Sequence, residues 1–585
     1  MNNTSSPYLK ELYKGAIKWR PFDVKTLKQA KTEDKIIFIH IGYIGNIEAR
    51  EIAYQLFEDK DVIDIINNNF IPVAIDLEDV PEAMLIGMDL LVITEQYYTL
   101  PINIFSLPES KPFTSFSNIT PAEFLALSFN IIDSFREKRE LLYKAGKYVS
   151  NRLGGTGIVQ KREKPCTITD KLLHAYVKSW ISRYIISNRR NRQTPYTINS
   201  RYYIFLLKYS HHYKIEENLI WLKDALDKVC FSAMFDPVDG GFFSQARNTK
   251  FTEPLYEKQL SENIQAAVLL SFAYKYFKIG HYKELAEKTI NCIERCFKSP
   301  NGEGYTTSIT LKTRSQESTY YKFSLQELEE KFPDTYLYIA TALGMDPTAN
   351  KQEQQIISNT RDTIKLTEQE IAILRSIRNR KSHEVIVDKR IITAYNCLYS
   401  TSLCLIANNL HDMRDEYINR AQEIITNIIE HQKKDQIRLH RYISKERNEH
   451  ANADLLDYTF FLNALLHIHK YTKDEEYDKL INKYTAYIML NFYQAHNGMF
   501  CKTSKTEIIT PFKRESIIDY IRYSANSVMA RNLLILYKTR KDEFFLSAFK
   551  QQLYNIAPQL IGTGPLMVGW ALQILNYLSN RSDFD

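Results

Sequence analysis

The chain has 585 residues, 44% hydrophobic and 25% charged, with a net charge of +7. That length exceeds what one hydrophobic core fills, so more than one domain is expected, and the apolar share is enough for sizeable cores. The small positive charge, spread over this length, does not mark a nucleic-acid binder, and 39 Tyr against 18 Gly suits long packed helices better than a loop-rich sandwich.

The start, "MNNTSSPYLKELYKG", lacks the apolar core of a signal peptide, and no apolar run reaches membrane-span length. "KIIFIHIGY" (Lys35–Tyr43) and "FIPVAIDL" (Phe70–Leu77) read as central strands, apolar on both faces. "GYIGNIEAREIAYQLFED" (Gly42–Asp59) turns from strand into helix, and "DVIDIINNNF" (Asp61–Phe70) is a short amphipathic helix. "LPINIFSLPESKPF" (Leu100–Phe113) predicts a hairpin turning at "PES". Together these make a small α/β domain over residues 1–120 with a mixed sheet. A connecting helix and linker follow over 121–165.

From 166 to 585 the pattern is helical. "ENIQAAVLLSFAYKYFKIGHYKELAEKTINCIERCF" (Glu262–Phe297) is a helix pair around "KIGHYKE". Asp454–Tyr493 repeats that plan around "KYTKDEEY", and Ser524–Leu553 repeats it around "KTRKDEF". Such pairs cannot bury their apolar faces alone, and an array or closed toroid of helical hairpins solves this. "DPVDGGFF" (Asp236–Phe243) and "AHNGMF" (Ala495–Phe500) predict loops or short strands at one rim. The arginine clusters "SRYIISNRRNRQ" (Ser182–Gln193) and "RSIRNRKSH" (Arg375–His383) read as solvated helix ends or loops, since neither carries a nucleic-acid motif.

Seven cysteines stand at 166, 230, 292, 296, 397, 404 and 501, an odd number without repeated spacing. Cys292 and Cys296 lie one helical turn apart, but no neighbouring His or second Cys pair completes a zinc site, so no metal and no cofactor is expected. Reduced thiols and a cytoplasmic location are the simplest expectation.

These segments resemble the spermatogenesis-associated thioredoxin-like family over nearly the whole chain. "SPYL" (Ser6–Leu9) with Trp19, the two strands and "LPINIF…KPF" follow the family's order. "PLYEKQLSENIQA" (Pro254–Ala266), "VDKRIITAYN" (Val387–Asn396), "LLDYTFFLNALL" and "SANSV" (Ser524–Val528) resemble its helical-half motifs. The resemblance implies an α+β multidomain protein, mostly α, in which a thioredoxin-like domain precedes an (α/α)6 six-hairpin toroid of the glycosidase and sugar-epimerase kind.

The chain departs from the family where chemistry is expected. Asn46 and Ala49 stand where the family's redox loop carries its two cysteines, and no cysteine precedes Cys166. Thiol–disulfide exchange needs a thiolate and a second sulfur; Asn46 offers a helix cap instead. Pro101 occupies the place of the family's cis-proline. In the toroid, Glu257, Glu262, Asp388, Asp457 and Asp519 are the carboxylates at family-like positions for sugar hydrolysis or epimerisation. Tyr256, Lys258, Lys389, Tyr395, Asn396 and Asn526 are the candidates for holding a ligand. Each carboxylate also has a structural reading: Asp457 sits among apolar residues and needs a partner, and Arg522 stands three residues beyond Asp519. Val387, Tyr395 and Ala525 replace further family residues. The sequence therefore reads as a redox-inactive scaffold for a protein or peptide partner. A sugar ligand in the toroid is the alternative.

Overall fold

The computed structural model describes residues 4–96, 100–165, 167–187, 196–312, 317–361, 365–431, 437–443, 452–504, 514–519 and 523–579. The chain divides into two compact units. One comprises Met1–Ile158 with later segments that include Cys501–Glu515; the other begins at Val159.

The first unit opens with α1 (Pro7–Leu12) and α2 (Val24–Glu33), capped by the side chains of Ser6 and Asp23. Strand β1 (Ile37–Gly42) follows, then α3 (Ile47–Glu58), α4 (Lys60–Asn69) and β2 (Ile71–Asp76). Helix α5 (Pro81–Ile93) is apolar nearly all round and has no counterpart in the sequence reading. The expected hairpin is β3 (Ile102–Ser106) and β4 (Pro112–Phe116). The sheet order is β2-β1-β3-β4. β1 pairs parallel to β2, with Ile37 opposite Ile71, and antiparallel to β3, with Ile39 opposite Ile104. The parallel centre explains why "IFIHIG" and "IPVAID" are apolar without alternation: both faces are covered. Helices α6 (Pro121–Glu137) and α7 (Arg139–Gly155) complete the unit, α6 starting at a Thr120–Glu123 capping box.

The second unit begins with α8 (Asp170–Ser187), α9 (Ser200–His212), α10 (Glu216–Cys230), α11 (Leu260–Phe277) and α12 (Gly280–Cys292). Short helices α13 (Leu325–Lys331), α14 (Tyr336–Ala342) and α15 (Glu368–Asn379) build a satellite core around Phe323, Leu328, Leu343 and Leu374. The chain then runs through α16 (Thr393–Ala407), α17 (Arg414–Glu430), α18 (Leu455–Thr472) and α19 (Glu475–Asn491). It ends in α20 (Ala525–Arg540), α21 (Glu543–Thr563) and α22 (Val568–Leu578).

Six of these helices form a closed ring. α9 packs on α11, α11 on α16, α16 on α18, α18 on α20, α20 on α22, and α22 returns to α9. The remaining six long helices lie outside as their hairpin partners, which makes the unit an (α/α)6 toroid. The sequence explains the division of labour. Ring helices such as α11 and α16 bury residues around their full circumference, whereas outer helices such as α12 and α17 bury one stripe. The repeated turns also have one construction. α11, α18 and α20 each end on a left-handed lysine, Lys278, Lys473 and Lys541. Among the described residues, no helix is long and apolar enough to cross a membrane.

The arginine-rich stretch at 375–383 departs from its sequence reading. Arg380 and His383 are exposed, but Arg378 is fully buried, because it faces carboxylates from the Asp236–Phe243 turn. Most of the cluster at 182–193 lies outside the described residues.

Candidate functional site

In the first unit, β1 delivers the chain to a loop whose last residue caps the next helix. Asn46 Oδ1 accepts the Ala49 N–H at 2.9 Å, filling one of the orphan donors of the α3 N-terminus. Ala49 is buried, and so is Arg50, whose guanidinium donates to the Ile44 carbonyl at 3.0 Å. The Leu100–Pro101 bond is cis and Pro101 is buried. Behind the loop, His40 Nδ1 lies 2.7 Å from Asn103 Oδ1, and the Tyr8 hydroxyl lies 2.6 Å from His40 Nε2. With Nδ1–H donating to the amide oxygen, Nε2 accepts from the tyrosine. Burial pushes the imidazole down to about 4, so it is neutral. Ser6 caps α1 and donates to Asp76 Oδ2 at 2.5 Å. The Ser6–Leu9 segment thus works as a staple on the central strands.

In the toroid, the sequence-derived candidates fall at the starts of the ring helices. Tyr256, Glu257, Lys258 and Glu262 come together where α11 begins. Lys258 is buried, with its ammonium 2.7 Å from Asp236 Oδ2 and 2.8 Å from the Gly240 carbonyl. Arg378 donates to the same Asp236 at 2.8 Å and to Asp239 at 2.6 Å. Burial opposes ionisation of Asp236, but Arg378 and Lys258 outweigh it and hold the carboxyl well below its usual range. Glu257 is buried and accepts from Gln259 Nε2 at 2.9 Å, while Glu262 is half-buried in the first turn of α11. Tyr256 stacks on Tyr321 with ring centroids 5.1 Å apart, and Phe243 meets both rings edge-on.

Asp388, Lys389, Tyr395 and Asn396 stand before and within the first turn of α16. Asp388 is buried against its neighbour Arg390, whose Nε and terminal nitrogen donate at 2.9 and 2.5 Å. Lys389 is exposed and Tyr395 is buried. Asp457 reaches this place from α18: it accepts the Ala394 N–H at 3.0 Å and pairs with the buried Arg441 at 3.3 Å. Burial pushes Asp457 up to about 7, against the pull of Arg441 and two backbone amides.

Asp519 does not lie on a helix; α20 starts only at Ala525. Its carboxylate accepts the backbone N–H groups of Ser524 at 2.7 Å and Gly569 at 2.6 Å, and burial pushes it up to about 6. The salt-bridge partner expected from sequence, Arg522, lies outside the described residues. Among the described residues, no group of three or more His, Cys, Asp or Glu is placed to hold a metal ion.

Asn396 and Asn526 belong to a repeated device. Asn396 accepts the Tyr305 N–H at 2.8 Å and donates to the Tyr305 carbonyl at 3.1 Å. Asn526 brackets Phe500 in the same way at 2.8 and 2.8 Å, and Asn263 brackets Phe242 at 2.7 and 3.0 Å. Each aromatic residue closes a glycine turn through an isolated bridge to the chain that leaves the preceding outer helix: Phe235 with Phe242, Lys298 with Tyr305, Tyr493 with Phe500. The glycines are required sterically. A Cβ on Gly241 or Gly304, both at positive φ, would come within 2.6 or 2.8 Å of the clamping Asn oxygen. Sequence reasoning saw two of these turns, and singled out Asn396 and Asn526 as candidates for holding a ligand, but did not see that asparagines fasten the turns. It also missed Asp236, Asp239, Arg390 and Arg441 as partners, because each ion pair depends on tertiary placement.

A family model described as Thioredox_DsbH, protein of unknown function, DUF255, matches residues 1–154. Spermatogenesis-associated protein 20 of Rattus norvegicus is 19% identical over 600 residues, covering 92% of this chain and 75% of the relative. Uncharacterized protein B0495.5 of Caenorhabditis elegans is 20% identical over 97% of this chain and 84% of its own. Among solved structures, the chain is similar to cellobiose 2-epimerase from Bacillus thermoamylovorans, at 11% identity and a TM-score of 0.40 over 62% of this chain and 76% of the other. It is also similar to a GH76 α-mannanase of Bacteroides thetaiotaomicron, at 12% identity and a TM-score of 0.38 over 70% and 95%. With a thioredoxin-like match at residues 1–154 and relatives matched along most of its length, this chain resembles the spermatogenesis-associated thioredoxin-like proteins, and it carries Asn46 and Ala49 in the loop before α3.

Proposed function

We propose that this protein is a redox-inactive scaffold that binds a protein or peptide partner in the cytoplasm. The observation that carries the reading is the Asn46 cap: the α3 N-terminus, which would stabilise a thiolate, is occupied by a neutral amide, and Ala49 offers no resolving sulfur. The toroid supports it from a different direction. Asp236, Asp239, Asp388 and Asp457 are each taken up by a buried arginine, and Asp519 by backbone amides. Groups bonded in this way hold the fold instead of waiting for substrate.

Two measurements test the two halves of the reading. Reduced full-length protein should show no turnover in an insulin-reduction assay. Turnover that disappears on alkylating every thiol would overturn the redox-inactive half. Native mass spectrometry of the tagged chain from mild lysates should show one protein partner at fixed stoichiometry. A clean monomer would overturn the scaffold half.

One observation favours a sugar-binding or sugar-active toroid as the second reading. Tyr256 is a non-glycine residue at φ +50, and its buried hydroxyl has no hydrogen-bond partner among the described residues. Strain and an orphaned polar atom at one residue are typical of ligand sites. Its aromatic neighbours, Tyr321 and Phe243, suit a sugar face. A panel of mono- and disaccharides at millimolar concentration tests this by thermal shift, since a ligand well above its Kd must raise the melting temperature. No shift across the panel removes the reading.

A further inference from the structure

Helix α12 ends in a π-turn, Ile293–Phe297, that carries Cys296; Cys292 sits at the last α-helical position. The Asp236–Phe243 turn presses on this end so closely that a Cβ on Gly241 would stand 3.0 Å from Cys292 Sγ. Through this turn the Lys258 ammonium comes within 3.9 Å of Cys292 Sγ. Among the described residues, the ion pairs at this end bring more cations than carboxylates. Asp236 and Asp239 are the two carboxylates, and Lys258, Arg378, Arg295 and Arg375 are the four cations paired with them. Cys292 is buried, whereas Cys296 is partly exposed, and every other described cysteine is buried.

We propose that Cys292 and Cys296 form a modification site in the toroid, at which Cys296 is the nucleophile toward small disulfides and soft electrophiles and Cys292, one turn away, supports its thiolate. The excess of positive charge around the pair favours one thiolate shared between two sulfurs, and Cys296, partly exposed where Cys292 is buried, is the one a reagent reaches. The groups facing the pair are Lys258, Arg295, Asp239 and Tyr320. The Cys292 hydrogen bond comes first in lowering Cys296, to about 7, followed by the attraction of Lys258 and Arg295 against burial and Asp239. The C-terminal end of the helix opposes the anion by up to about 1 kcal/mol, which does not cancel those terms. The first proton lost belongs to the pair and not to one sulfur.

The reaction with a small disulfide is an exchange. Cys296 Sγ attacks one sulfur of the reagent, the reagent's S–S bond breaks, a mixed disulfide forms on Cys296, and the departing thiolate takes a proton from water. No further oxidant is needed. At pH 7 the larger thiolate fraction gives a ~15-fold gain over an ordinary thiol, and the lower nucleophilicity of a more acidic thiol removes about fivefold, leaving roughly threefold.

The test uses the reduced full chain with glutathione disulfide at pH 7, and with iodoacetamide from pH 5.5 to 9.5, each modified residue being located by peptide mass spectrometry. Cys296 should carry the first glutathione adduct and label with a midpoint near pH 7. Cys292→Ala and Arg295→Ala should each raise that midpoint, the first by more; melting curves establish that both variants fold. Alkylation midpoints at or above that of the urea-unfolded chain would overturn the proposal. So would a first adduct on another cysteine, or a Cys292→Ala variant with an unchanged midpoint.

Discussion

The loop before α3 and the rim of the toroid differ in what they offer to chemistry. At the loop, the reactive residue types are gone: Asn46 and Ala49 leave the local geometry intact, with the helix still capped and the Leu100–Pro101 bond still cis. At the rim, the ionisable residues remain, and many are bonded to one another. Asp236 lies between Lys258 and Arg378, Asp388 is clasped by Arg390, and Asp457 by Arg441. A missing residue type leaves a visible gap in a sequence, whereas mutual pairing of ionisable groups leaves the sequence looking equipped.

The largest effect that tests this contrast is expected at Arg378. Replacing it with Met removes the buried partner of two carboxylates and should destabilise the toroid by about 3–5 kcal/mol, because an unpaired buried charge is far costlier than an exposed one. Urea unfolding monitored by a toroid-specific probe measures it. A loss below about 1 kcal/mol would mean that the network tolerates a vacancy, as a ligand-binding cluster would, and the rim would then resemble a site more than a brace.

The asparagine clamps come next. Asn396→Asp keeps the acceptor for the Tyr305 N–H but removes the donor to the Tyr305 and Ile392 carbonyls, and it introduces a buried charge. A loss of roughly 2–3 kcal/mol is expected, and Gly304→Ala should cost a comparable amount by driving a Cβ into the same amide. The two substitutions together should cost less than their sum, since the second breaks what the first has already weakened. Strict additivity would show that the glycine and the asparagine act independently.

These clamps also show where the sequence was readable. The parallel strands, the hairpin at β3–β4 and the repeated helix pairs follow from residue periodicity and turn chemistry, which are local. The ring could be expected because apolar-all-round helices must be enclosed. The lack of cysteine in the loop was legible because residue identity needs no coordinates. The partners of Asp457 and Asp519 were not legible. Arg441 is sixteen residues from Asp457 and outside any helical spacing, and the amide of Gly569 reaches Asp519 across fifty residues. Arg378 was read as solvated because its neighbours are polar, and only tertiary packing turns it inward.

Asp519 gives a pH-dependent way to separate a braced carboxylate from an idle one. Burial raises it to about 6 in the folded chain, above its ordinary value of 3.8. A carboxyl whose folded value is raised favours folding in its protonated form. Its stabilising contribution is full below about pH 4 and is lost as pH rises through 6, amounting to roughly 2–3 kcal/mol. Asp519→Asn should lack this slope, so the difference between its unfolding free energy and that of the parent chain should change across pH 4–6 and level off above 7. A flat difference would show that the two backbone donors hold the carboxylate ionised throughout.

The smallest effect is expected at Asn46, and it bears most directly on what the loop has become. Asn46→Ala removes the side-chain acceptor for the Ala49 N–H and should cost about 1 kcal/mol, whereas Asn46→Asp should keep the cap and gain slightly from the helix dipole. Denaturant unfolding of the first unit, followed through a probe in that unit, resolves differences of this size. If Ala costs nothing, the amide is incidental and the loop has simply lost its thiols. If Ala costs the expected amount and Asp does not, the position has acquired a structural duty that a returning cysteine, as a poor cap, would have to displace. On that outcome the fold itself disfavours a thiol at this position, because introducing one would first weaken the helix that would have to activate it.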